Sequence, residues 1–141
     1  MPVHKAEINI QAPPQKVFEA LTQPNFVKLW QYGRVLDTDW QVGSKIHFRS
    51  EAQGSFEVLE QYGTVLDVKP NELIKYSLYT PQTGTDDTPE HYNITTYALC
   101  GTDGGTRIEL IQEDNRPHGF APPTLRRILA ALKNIVESNK Y

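Results

Sequence analysis

Between His4 and Ile10 apolar and polar residues alternate, with Ala6, Ile8 and Ile10 on one side and Lys5, Glu7 and Asn9 on the other, which predicts a half-buried strand. Ala12-Pro13-Pro14 follows, and a proline at the first helical position gives up only an amide that a helix would leave unpaired. Val17, Phe18 and Leu21 then recur at helical spacing within Pro14 to Leu21, and Phe26, Val27, Leu29 and Trp30 form a second short apolar stretch after Pro24, so two short helices are expected in succession. From Val35 to Glu113 the pattern becomes short strand-like runs: Lys45 to Ser50, Ser55 to Val68, Leu73 to Tyr79, Tyr92 to Cys100 and Thr106 to Glu113. Gly43, Gly54, Lys69-Pro70-Asn71 and Gly101 to Gly105 separate them, because glycine and asparagine accept positive φ and proline cannot donate to a ladder. Such short connections make consecutive strands antiparallel, while the polar gap from Pro81 to Glu90 reads as a loop. Finally Leu125, Ile128, Leu129, Leu132, Ile135 and Val136 share one face of a long amphipathic helix, Thr124 to Glu137, whose other face carries Arg126, Arg127, Lys133 and Asn134.

This order defines an α+β domain in which a twisted antiparallel sheet curls around the one long helix whose apolar stripe must be buried. Bulky Phe48, Phe56, Tyr76 and Tyr97 beside smaller Thr96 and Ala98 imply either an irregular pocket between sheet and helix or side chains that simply close the core. Composition narrows the function classes. A length of 141 residues suits one domain, 1–141, with a single site. The hydrophobic fraction of 38% is low for a folded chain. A net charge of -3 supplies no basic face to displace counterions from phosphates, so no nucleic-acid partner is expected. Without a leader-like start or an apolar run near eighteen residues, a cytoplasmic protein with no membrane insertion is expected, and the one cysteine cannot form an internal disulfide.

Five motifs then recur in order: I-x-A-P-P-x-x-V-F-x-A-L-T-x-P from Ile10 to Pro24, Trp30 closing the second short helix, D-W-x-V-G from Asp39 to Gly43, G-x-V-L-x-V-x-P from Gly63 to Pro70, and G-G-T-R from Gly104 to Arg107. Together they resemble the START-like (SRPBCC) superfamily, in the branch related to the activator of the heat-shock-protein-ninety ATPase. The resemblance spans the chain and implies a helix-grip fold: a curved antiparallel sheet wrapped around a long C-terminal helix, with two short helices after the first strand. Members of the superfamily carry lipids or other apolar molecules, cyclise or dehydrate polyketides, bind plant hormones or assist a chaperone, so the fold selects no single function.

Candidate chemistry is sparse. His4, His47, His91 and His118 are never at a spacing that sets two ligands on one face, so no metal or other cofactor is expected. His47 alternates with Ile46 and Phe48 and is expected to face solvent; Cys100 ends an apolar strand and is expected to be a buried small hydrophobe; Glu109 and Arg107 fall together on a polar face. Tyr76 and Tyr97 could offer hydroxyls to a ligand or serve as core tyrosines. The expected ligand-binding set is Trp30, Phe48, Phe56, Tyr76 and Tyr97, with Leu125, Leu129 and Leu132 as the opposite wall and Phe120 near the mouth. Three readings stand: a binder of a small hydrophobic, lipid- or polyketide-like molecule; a cyclase or dehydratase on an aromatic or polyketide-like substrate; and a chaperone-associated interaction protein. A homodimer is compatible with each.

Overall fold

A computed structural model describes residues 3–30, 34–50, 59–79, 87–88, 91–114 and 122–138. The chain runs β1 (Val3–Ile10), α1 (Pro14–Thr22), α2 (Pro24–Trp30), β2 (Arg34–Asp37), β3 (Lys45–Ser50), β4 (Leu59–Lys69), β5 (Leu73–Leu78), β6 (Asn93–Thr102), β7 (Gly105–Asp114) and α3 (Pro122–Glu137). The described strands form one curved antiparallel sheet in the order β1-β7-β6-β5-β4-β3-β2. This is the helix-grip architecture. Only β1 leaves sequence order, because α1 and α2 cross from its end to β2 at the far edge of the sheet.

The punctuation residues act where their backbone requires them. Gly104, at φ +89, turns the β6–β7 hairpin, and Asn71, at φ +65, turns β4 into β5. β2 is an element that the hydrophobic pattern does not announce: its Leu36 is buried, but four residues are too few to display an alternation. α3 begins at Pro122, two residues before the expected start, since a proline in the first turn needs no amide partner.

The core lies between the concave face of the sheet and α3, closed at one side by α1 and α2. Ile74, Ile108, Leu110, Leu125, Leu129 and Leu132 are each at most 1% exposed. α3 packs closest on β1, then on α2 and α1. Its C-terminal end is tied down by Lys133 Nζ, which donates to the Asn9 carbonyl at 2.9 Å, and by Glu137, whose Oε2 accepts from the Gln11 amide at 2.8 Å and pairs with Lys133. The Gln11 amide, followed by Lys133, holds the Glu137 carboxyl below its ordinary value of 4.5. A depressed carboxyl stabilises the fold above that value, and the contribution disappears as pH falls through the lowered one. Glu137→Gln is therefore expected to cost about 0.5–1 kcal/mol at neutral pH. The gap to wild type in urea-melt midpoints should close in acid, and a gap that persisted at pH 2 would contradict the assignment.

Candidate interior site

Alternation fixes which side chains enter the grip. Across β5, β6, β7 and β1 the concave face carries successive rows: Leu78, Asn93 and Asp114; then Tyr76, Thr95, Gln112 and His4; then Ile74, Tyr97, Leu110 and Ala6. The apolar rows lie toward the C-terminal end of α3, which the Lys133 and Glu137 contacts place beside the end of β1. The polar rows lie toward its N-terminal end.

Four of the expected aromatic residues pack in two pairs within one buried cluster. Trp30, 2% exposed, meets Tyr97 edge-on with centroids 6.2 Å apart, and Phe48 lies 5.8 Å from Tyr76. Leu125, Leu129 and Leu132 of α3 belong to the same cluster and are fully buried. Phe56 and Phe120 lie outside the described residues, as do most of the Pro81 to Glu90 gap, His118 and the first four positions of the run expected from Ser55.

Trp30 has a second task. Its Nε1 donates to the Ala20 carbonyl at 2.7 Å, and Trp40 Nε1 donates to the Thr22 carbonyl at 2.9 Å. Both acceptors are in the last turn of α1, where carbonyls have no partner within the helix. Trp40 reaches this position at φ +57, a left-handed conformation rare for a bulky residue, and lays its ring 6.1 Å from Tyr76. It is thus a further aromatic side chain, partly buried and packed against the interior cluster.

A polar group on the same face was not anticipated. Asn93 and Asp114 are 1% exposed, Gln112 4% and Thr95 6%. Thr95 Oγ1 donates to Asn93 Oδ1 at 3.2 Å. The signal was present in the sequence: Ile108 and Leu110 set the inward phase of β7, and two more steps bring Gln112 and Asp114 to the same side.

Other expectations divide. His47 is outward and half-exposed, 3.7 Å from Glu60, and Arg107 and Glu109 share the convex face, where Arg107 approaches Glu7 at 4.0 Å. Cys100 requires correction. It does share a face with Ala98 and Ile94, but that face is convex and Cys100 is exposed, because the inward phase of β6 belongs to Tyr97 and Leu99. Among the described residues no three His, Cys, Asp or Glu side chains gather to hold a metal ion, and no helix is long and apolar enough to cross a membrane.

The convex face carries an open groove of about 880 Å³, lined by Asp37, Lys45, His47, Tyr62, Thr64 and Tyr92 among others. Here Asp87 accepts from the Tyr62 and Tyr92 hydroxyls, each at 2.6 Å. The hydrogen bond to Asp87 pushes Tyr62 up to about 12; burial and then Asp87 do the same for Tyr92. Phenols so committed are poor proton donors near neutral pH.

Residues 11–136 match the family described as Activator of Hsp90 ATPase homolog 1-like protein. No curated protein sequence matches the chain significantly. Among solved structures, a protein from Cytophaga hutchinsonii is similar at 30% identity and TM-score 0.82, covering 99% of this chain and 96% of its own. The Aha1 dimer from Colwellia psychrerythraea is similar at 20% identity and TM-score 0.73, over 100% of both chains. DynU16, a protein of the dynemicin biosynthetic locus, aligns at 16% identity and TM-score 0.77 over 98% of this chain and 48% of its own.

Proposed function

The chain belongs to the Activator of Hsp90 ATPase homolog 1-like family, in the START-like superfamily, and on that premise we propose that it binds a small hydrophobic molecule between the concave face of the sheet and α3. One observation carries this reading: α3 packs closest on β1, while the aromatic side chains stand on β3, β5 and β6, across the sheet from that contact. Helix and strands meet there through side chains of one buried cluster, and an apolar guest that parts them exchanges water for Trp30, Phe48, Tyr76, Tyr97 and the three leucines. At about 25 cal/mol per Å² of apolar surface removed from water, a guest burying roughly 300 Å² gains about 7 kcal/mol before the cost of association. That places affinity in the micromolar range or weaker.

A catalytic role on an aromatic or polyketide-like substrate has less support. Among the described residues Asp114 is the one Asp or Glu on the concave face, so acid and base would have to come from it, from His4 or from a tyrosine.

Titration with the apolar fluorophore N-phenyl-1-naphthylamine tests the binding reading. Wild type should bind saturably and release the dye to a medium-chain alcohol. Leu129→Phe, which adds volume at the helix wall, should weaken binding about tenfold while keeping the far-ultraviolet circular dichroism of the wild type. Absence of saturable binding by the wild type would overturn the proposal.

A further inference from the structure

The polar rows of the interior say more about the guest. Gln112 is 4% exposed, and its side-chain amide has no hydrogen-bond partner among the described residues. Asn93 is 1% exposed and uses only its carbonyl oxygen, for Thr95, so its N–H₂ group is equally unanswered there. Native interiors seldom leave a carboxamide in this condition, because its lost hydration is not repaid. The two amides stand in adjacent rows, paired across β6 and β7 with Asp114 and Thr95, and both point to the side where Tyr76 and Tyr97 lie.

We infer that Asn93 and Gln112 form a receptor for the polar head of the guest, and that this head is neutral and both accepts and donates hydrogen bonds, as a primary amide or a hydroxyl does. The inference rests on the binding reading above. The donors are Asn93 Nδ2 and Gln112 Nε2, and the acceptor is Gln112 Oε1. Charge excludes the commonest lipid head. On β5, β6, β7 and β1 the concave face carries no Lys or Arg, and Asp114 stands beside Asn93, so a carboxylate at this end of the grip would enter next to another carboxyl group. His4, on β1 opposite Gln112, is a second titratable neighbour and is half-buried. Tyr97 and Leu110 in the next row receive the first carbons of the apolar body.

Four probes of equal chain length separate the possibilities: decanamide, 1-decanol, decanoate and n-decane, each competing with N-phenyl-1-naphthylamine. Wild type should hold decanamide and decanol about tenfold more tightly than decane, with decanoate weaker than either. Gln112→Met, which keeps length and volume, should erase the preference for decanamide, leave decane affinity unchanged and raise the melting temperature, since an unanswered amide has been removed. In ¹⁵N-correlation spectra of the wild type, decanamide should shift the side-chain N–H₂ signals of Asn93 and Gln112, a readout that needs no variant. Equal binding of all four probes, an unmoved pair of amide signals, or decanoate as the tightest ligand would each overturn the inference while leaving a hydrophobic site in place. Failure of every probe, with no saturable dye binding, would remove the binding reading as well.

Discussion

Trp30→Ala is expected to lower unfolding free energy by about 3–5 kcal/mol, read from the urea midpoint at constant slope. The ring is almost fully buried, meets Tyr97 edge-on and answers the Ala20 carbonyl, so truncation leaves a cavity and an orphaned acceptor together. Because domains of this kind hold only about 5–15 kcal/mol in all, that single change consumes a large part of the margin. Trp30→Phe separates the two causes: it keeps most of the packing, loses the indole N–H and should cost about 1–3 kcal/mol. A loss under 1 kcal/mol for the alanine variant would mean that α1 and α2 can close over the gap, which the contacts of Trp30 with both α1 and β6 oppose.

Gly63→Ala should be comparably severe, and for a backbone reason. A Cβ at this position would lie 1.8 Å from the Ser77 carbonyl oxygen and 2.5 Å from its carbon, so β4 and β5 would have to part. A cost of about 3 kcal/mol is expected, at the upper end of ordinary overpacking. The damage should be local at first. Tyr62 and Tyr79 exchange amide hydrogen bonds at 3.1 and 2.7 Å on one side of Gly63, and the Thr64 amide donates to Ser77 Oγ on the other. Amide exchange at Tyr62, Thr64 and Tyr79 should therefore quicken more than at Leu110 in β7, whereas uniform acceleration would point to global destabilisation instead.

The long elements were legible because their periods are long enough to count. The stripe from Leu125 to Val136 fixed α3, and the alternation from His4 to Ile10 fixed β1 with its inward face. Four-residue β2 has no countable period, and the pairing of the two indoles with the end of α1 links residues 10 and 18 positions apart through hydrogen bonds that no hydrophobic pattern encodes. β6 misled in an instructive way. Its apolar residues fall on both faces, Ile94 and Ala98 outward, Tyr97 and Leu99 inward, while Asn93 and Thr95 point in. A rule that sends apolar residues inward therefore buries Cys100 and exposes Asn93, the reverse of what is found. It fails where the interior is polar, which is also where the receptor for a ligand head is proposed.

Cys100 on the convex side has an experimental use. As the one thiol in 141 residues, it takes a single maleimide dye, and the dye stays outside the grip because the sheet stands between it and α3. Trp30, on the far side of the same sheet, then becomes a built-in energy-transfer donor to a reporter that competes with no guest. Oxidising conditions convert the same exposed sulfur into a covalent link between two copies, so a dimer band that vanishes with reductant is a property of this thiol and not of the fold.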